Sequence, residues 1–412
     1  MRIAVVDGYS TGAALAQRLH AAGIECLHVQ SRPAGDFTPY LLRSYRPGDY
    51  SRDLGYAPDT GALVAWLNNA RVSRVVAGTE SGVMLAESVS LALGLPTNSP
   101  AQPAARRDKA LMAKVVRAAG LATPYATTAR SAAEAAEWFA ASGLPDAVVK
   151  PRASGGSDHV RFCSTPEEVA EAAARVLGDR NIFGEPNTTV LVQQRLEGTE
   201  YYVNTVSARG VHRVAEIWRY TKRRGPASTP IYDYEEPVSV SSTVGQILRS
   251  FTVSVLDALG ITETPAHTEV MLTADGPVLI ETGARLGGAT APGIVEKYCG
   301  TSQTSLAAAA LIDPASLTGF NDTHDRHVGA LRNVEFINPF RGPASADALT
   351  KVASLPTVVH VAYATDPGTL LEATSDLLNS PGYAYLAADH HQDIEQDYTT
   401  LRAWESEGLH TM

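Results

Sequence analysis

His267-Thr-Glu-Val-Met-Leu-Thr-Ala-Asp-Gly-Pro-Val-Leu-Ile-Glu-Thr-Gly-Ala-Arg285 reads as a β-hairpin with a carboxylate on each strand. Val270, Leu272, Val278 and Ile280 alternate with the other residues, the period of two expected of a half-buried strand pair. Asp275-Gly276-Pro277 supplies the turn, and Pro277, with no N–H to give a ladder, is expected in the loop. A loop with an odd number of residues turns the four apolar side chains to the core together. Glu269 and Glu281 are then diagonal neighbours on the other face, about 7 Å apart at the backbone. An even loop sends them to opposite faces. Two carboxylates on one open face repel unless a cation sits between them. Oxygen-only ligands favour Mg²⁺, which takes one or two carboxylates and completes its shell with phosphate oxygens and water. Arg285 is a permanent cation suited to gripping a carboxylate or phosphate, and Gly287-Gly288 let backbone approach a ligand closely. Read in isolation, the same stretch is equally a surface hairpin with two solvated glutamates.

The chain around it has 412 residues, enough for two or three domains with cores. Its 44% hydrophobic and 19% charged content is ordinary for a soluble enzyme. A net charge of -10 argues against nucleic acid or an anionic membrane as the main partner, since both need a basic surface. It leaves room for ATP, which needs only a local basic cluster. Just six of the 34 basic residues are lysines, so each lysine's position is informative. Cys26, Cys163 and Cys299 lie far apart with no CxxC, which suits a reducing cytoplasm and offers no zinc site. The N-terminus is strand-like rather than a signal peptide, and no run approaches the roughly 18 apolar residues of a membrane helix. A cytoplasmic protein is the expectation.

The first hundred residues alternate strands (Ile3–Val6, Cys26–Val29, Val72–Ala77) with helices, as in a parallel sheet covered on both faces. Gly8-Tyr-Ser-Thr-Gly12 is not a GxGxxG loop and is not read as a dinucleotide site. Gly94-Leu-Pro96, Pro100 and Pro103 mark a boundary. Helices are expected at Asp108–Ala119 and Ser131–Ser142. Ala147-Val-Val-Lys150-Pro151 is a strand entering the small, flexible loop Arg152–Ser157. Val190–Gln194, Tyr201–Ser207 and Val211–Tyr220 read as strands. Thr221–Pro237 lacks an apolar period and carries Lys222, Arg223 and Arg224, as a mobile lid or a long exposed loop would. The last ninety residues read as α+β, with strands at Val328–Phe336 and Thr357–Ala364 and helices at Ser345–Ala353 and Gly368–Asn379.

Lys109 opening a helix, Lys150 before a Ser/Gly loop able to close over phosphates, and a dicarboxylate hairpin are what a triphosphate with magnesium requires. In that order along the chain they resemble the ATP-grasp superfamily, in particular its L-amino-acid ligases, which join a carboxylate to an amine. The resemblance covers nearly the whole chain. It implies a Rossmann-like α/β domain over residues 1–103 and a two-part ATP-grasp fold over 104–320, with a flap at about 124–196. A small α+β C-terminal piece follows over 321–412. Gly78-Thr-Glu-Ser-Gly-Val83 looks like the end of the first domain. Lys109 and Lys150 look like the two nucleotide lysines, and Ser154, Gly155, Gly156 and Ser157 like the phosphate-covering loop. Val192–Tyr201 resembles the hinge, so that Gln193 would meet the adenine amino group, the backbone of Gln194 and Leu196 the adenine edge, and Glu200 the ribose.

Glu269 and Glu281 match the family's magnesium-binding glutamates, but Gly283 replaces the asparagine of E-x-N-x-R. The resemblance implies ATP with Mg²⁺ (two ions, or Mn²⁺), and activation of a substrate carboxylate as an acyl phosphate that an amine then attacks. In that scheme Lys150 and Arg285 are catalytic, Arg285 stabilising the carboxylate and the tetrahedral intermediate. His267, Glu80, Gly287 and Gly288 complete the substrate site. The partners implied are two amino acids, with no nucleic acid or membrane, in a homodimer. A ligase or carboxylase of nucleotide synthesis is the second reading, and a non-catalytic nucleotide-binding regulator the third.

Overall fold

The computed structural model describes every residue except 226–228, 325, 378 and 412, and the side chains of residues 39 and 40. The first sheet is parallel, with strands in the order Arg52–Tyr56, Glu25–Gln30, Arg2–Val6, Arg74–Ala77. Its outer strand Arg52–Tyr56 escapes the sequence reading because an exposed edge strand needs no apolar alternation. The Gly8–Gly12 loop serves packing: a Cβ on Gly12 would lie 2.5 Å from Gly78 Cα, so the two strand-end loops touch backbone to backbone.

A second, antiparallel sheet forms the flap, in the order Ala126–Ala129, Val190–Gln194, Ala147–Pro151, Arg161–Cys163. Helices Ala132–Ser142 and Pro166–Leu177 bury Ala135, Phe139, Val169 and Val176 against it. Ser131 and Thr165 cap these helices, each accepting from the backbone N–H three residues on.

The central sheet has eight antiparallel strands. The order is Gly276–Gly283, Pro265–Thr273, Thr199–Ala208, Val211–Arg224, Pro230–Val238, Ala330–Glu335, Gly382–Ala388, Val358–Tyr363. The C-terminal strands Ala330–Glu335, Gly382–Ala388 and Val358–Tyr363 therefore extend this sheet, while Gly342–Pro343 and Leu370–Leu371 pair apart from it. One face buries Val203, Ile217, Val270 and Leu279 with helix Thr243–Ala258 and the first domain's apolar side chains, while the flap stands over the other.

Three expectations are overturned. Thr221–Pro237 is no lid or loose loop: Val211–Arg224 and Pro230–Val238 pair as a long hairpin, whose residues 226–228 lie outside the described ones. Its polar side chains line a cleft, so no apolar period is needed. Gly368–Asn379 forms no helix over its described residues: Leu370–Leu371 pairs with Gly342–Pro343, and Asn338 and Asn379 side chains hold the backbone that follows. Pro277 lies within its strand, opposite Leu272. That strand is the sheet edge, where a missing N–H costs no ladder bond.

Candidate active site

The hairpin turn holds two residues, Ala274 and Asp275, between the paired Thr273 and Gly276. That even loop alone would put the two glutamates on opposite faces. A bulge intervenes: Val270 pairs with Leu279 but Glu269 with Glu281, leaving Ile280 as the extra residue. The bulge returns both carboxylates to one face, directly opposite each other rather than diagonal. It also corrects the expected apolar set. Val270 and Leu279 are in the core, whereas Ile280 lines a cleft.

This cleft of about 640 Å³ lies between flap and sheet, lined by Lys109, Lys150, Ser154–Ser157, Gln193, Glu200, Glu269 and Glu281. Asp108 caps the helix Lys109–Ala118, accepting from the N–H groups of Ala110 and Leu111, which fixes Lys109 at the first turn. Lys109 Nζ donates to Ser154 O at 2.7 Å and stands 3.2 Å from Glu281 Oε2. Lys150 Nζ, from the flap strand, is 3.9 Å from the same oxygen. Both lysines, 41 residues apart in sequence (150 minus 109), converge on one carboxylate. Positive φ at Gly156 and Ser157 turns the phosphate-type loop over the cleft. Leu196 also lines it, but the Gln194 N–H donates to Tyr125 O and so belongs to the flap's backbone.

Lys222 completes the wall where a lid or a long exposed loop was expected. Its Nζ donates to Glu200 Oε1 at 2.6 Å and sits over the rings of Tyr220 and Tyr232, at 4.7 and 4.3 Å from their centroids. The alternation Tyr220, Lys222 is the available signal. Charge balance in the cleft is tight. Burial would push the Glu269 carboxyl up, but His267, Lys222 and Lys150 outweigh it and hold it well below the ordinary range. Burial, with Lys109 alongside, draws Lys150 down despite Glu281. Burial and the neighbouring Glu269 leave Glu200 raised even against Lys222.

Beyond the glutamates the site continues into the first domain. Arg285 Nε donates to Glu80 Oε2 at 3.0 Å, and Arg107 Nη1 to Glu80 Oε1 at 3.3 Å. Burial raises Glu80, but Arg285, Arg107 and Lys109 bring it below its ordinary value. Arg107 does not stand out in the sequence, although the run Arg106–Lys109 carries three basic residues. A Cβ on Gly283 would lie 2.6 Å from Glu80 Oε2. Any side chain there meets Glu80, so a carboxylate from another domain fills the space that the family pattern gives to asparagine. His267 faces the site, its Nδ1 2.8 Å from Asn204 Oδ1 and its Nε2 3.6 Å from Glu269. The Gly287 N–H donates to Gln303 Oε1 at 2.8 Å, with its Cα hydrogens against His267 and Asn204. Gly288 is exposed beside Ser10.

Among the described residues no three His, Cys, Asp or Glu side chains gather round one point. Two facing carboxylates are nonetheless the donor set that suits Mg²⁺ shared with phosphate oxygens, rather than a cation caged by protein alone.

Residues 145–292 match the ATP-grasp domain family. Dapdiamide A synthase from Enterobacter agglomerans is 31% identical over 415 residues, covering 99% of this chain and 96% of that protein. The chain belongs to the ATP-grasp ligase family. The ATP-grasp fold recurs in the crystal structure of an L-amino acid ligase from Bacillus licheniformis. That structure matches with a TM-score of 0.75 at 19% identity, over 98% of this chain and 97% of that one. It recurs also in N5-carboxyaminoimidazole ribonucleotide synthetase from Thermus thermophilus (TM-score 0.67, 18% identity, 97% and 98% covered). At these identities the two structures speak for the ATP-grasp fold alone. No helix among the described residues is long and apolar enough to cross a membrane.

Proposed function

We propose that the protein is an ATP-dependent carboxylate–amine ligase that joins two amino acids through an acyl phosphate, releasing ADP and phosphate. The observation that carries this reading is the continuity of the site. Glu269 and Glu281 stand with Lys109, Lys150 and the Ser154–Ser157 loop on one side, and Arg285 with Glu80 on the other. A triphosphate laid along the lysines would bring its terminal phosphate toward the arginine end, where a substrate carboxylate would be gripped.

Gln193 and Leu196 would take the adenine and Glu200, steadied by Lys222, the ribose. Lys109, Lys150 and the loop would take the phosphates, whose negative charge would relieve the depression of Lys150 by burial. Glu269 and Glu281 would hold Mg²⁺, which when bound would offset the negative charge of the phosphates. Phosphorylation gives the carboxyl carbon a leaving group it otherwise lacks. The substrate carboxylate attacks the γ-phosphorus, the bond to the β-bridging oxygen breaks, and ADP departs. An amine then attacks the acyl carbon, phosphate leaves, and the amine loses its proton. Arg285 would offset the charge on the carboxylate and on the tetrahedral oxyanion, with Glu80 aligning its guanidinium.

The relative named dapdiamide A synthase, aligned along nearly the whole chain, supports an amide-forming reaction of this kind. The test is a screen of ATP consumption across pairs of amino acids with mass spectrometry of the products. ADP formation that requires two amino acids and a condensation product of their summed mass less water is the expected result. ADP formation driven by a nucleotide-synthesis intermediate instead would overturn the reading.

A further inference from the structure

The flap reaches the first domain at one further place. After helix Pro166–Leu177 the segment Asn181-Ile-Phe-Gly-Glu185 folds on itself. Asn181 Oδ1 accepts from the N–H groups of Phe183 and Glu185, both at 3.0 Å, and the Asn181 N–H donates to Glu185 O at 2.9 Å. The same asparagine holds the phosphate-type loop, its Nδ2 donating to Ala153 O at 2.7 Å, and the Ile182 side chain packs 3.7 Å from where a Cβ on Gly155 would be.

At the tip Phe183 is 9% exposed, although it belongs to a turn with no apolar core of its own. It is covered by two cations. Arg107 lies 4.6 Å from the ring centroid and Arg32, from the first domain, 5.6 Å from it. Arg32 also donates to Phe183 O, and Glu185 stands 3.9 Å from Arg32 and 4.0 Å from Arg107. Arg107 in turn holds both the backbone O and the carboxylate of Glu80, and Glu80 holds Arg285. An unbroken line of contacts thus runs from the loop over the phosphates, through Phe183 and Arg107, to the guanidinium at the carboxylate end.

We infer that Phe183 and Arg32 are positioning residues, a latch that seats Arg107, Glu80 and Arg285 only when the flap, with its Ser154–Ser157 loop, is shut over the cleft. This rests on the ligase reading above and adds to it that activation of the carboxylate is tied to exclusion of water. The physical reason is the reactivity of the acyl phosphate. Water attacking its carbonyl returns the carboxylate and inorganic phosphate, so the net reaction becomes ATP plus water giving ADP and phosphate. A ring docked between two guanidinium groups is a modest electrostatic attraction that strengthens where water is excluded. That is enough to bias an open–closed equilibrium and weak enough to release product.

The experiment compares the full-length protein with Phe183→Ala, Arg32→Met and the conservative Phe183→Trp. Two quantities are measured: phosphate released per amide formed, and the KM of the carboxylate substrate. A further measurement is hydrogen exchange of residues 152–157 with and without ATP and magnesium. Phe183→Ala and Arg32→Met are expected to release several phosphates per amide and to raise the carboxylate KM about tenfold. Phe183→Trp should restore a ratio near one, which a general loss of fold would not. Nucleotide should protect residues 152–157 less in the two disrupting variants. Unchanged coupling, KM and protection in Phe183→Ala would overturn the latch. If the wild-type protein forms no amide from any pair, the ligase reading fails, and hydrogen exchange with ATP alone still decides the latch.

Discussion

The two ends of the cleft are built differently. The nucleotide end is assembled from short local pieces: a capped helix start at Lys109, a strand end at Lys150, a Ser/Gly loop and a hairpin. The carboxylate end joins residues with nothing local in common. Glu80 meets Arg285 across 205 positions and Arg32 meets Phe183 across 151. Charge balance sets a third stretch of the same sheet apart from both ends. Lysines crowd the nucleotide-end carboxylates and His267 and Lys222 hold Glu269 low, whereas Glu216 and Glu235, on the same sheet face farther along, are held by Asn204 and by Tyr202 and Asn333. Burial raises both of these acids to about 7. Chemistry that every nucleotide ligase shares can rest on local motifs. On the proposed reading, choice of substrate would rest on long-range contacts, which could be altered without touching the phosphate grip.

The contrast can be broken most forcefully at Glu281. Glu281→Gln leaves Lys109 and Lys150 facing a neutral amide, and ADP release should fall by about 10²–10³-fold in a protein that still melts cooperatively. Turnover at the wild-type rate would remove the facing carboxylates from the chemistry. At the other end, Arg285→Ala should lower kcat/KM for the carboxylate substrate by about 10²-fold while leaving ATP affinity by calorimetry unchanged. A parallel loss of ATP affinity would show that the two ends do not act separately.

The neutral-donor acids give a subtler test. An acid whose folded pKa is about 7 against an ordinary 4.5 holds its proton more tightly in the folded chain. The stability this provides is complete below about 4.5 and is lost as pH rises through 7, a decline on the order of 1–3 kcal/mol per group. Glu235→Gln should flatten that decline in urea titrations at several pH values, and an unchanged slope would exclude Glu235 as its source. The smallest effect is steric. Gly283→Asn, which restores the family residue, should cost about 1–2 kcal/mol through overlap with Glu80, and markedly less beside Glu80→Ala. Additive losses in that double-mutant cycle would show that the two positions do not compete for space.

Much of this is legible in the chain. The alternating strands and helices of the first domain, the flap strands around Lys150 and the hairpin follow from periodicity, capping and turn residues, because those forces act over a few neighbours. Lys222 escapes such a reading because a polar strand lining a cleft has the composition of a loop. Leu370–Leu371 reads as helix because the Asn338 that holds the backbone following it is far off in sequence.

The sequence by itself determined that two glutamates, two lysines and a small-residue loop would be available in the right order, since residue type and local period are enough for that. Only the tertiary structure decided that the glutamates face one another. An even turn points them apart, and a single bulge at Ile280, in a strand registered against the sheet, turns them back. It likewise decided that Glu80 fills the space beside Gly283, because a gap left by a missing side chain is closed by whatever the packing of another domain brings to it.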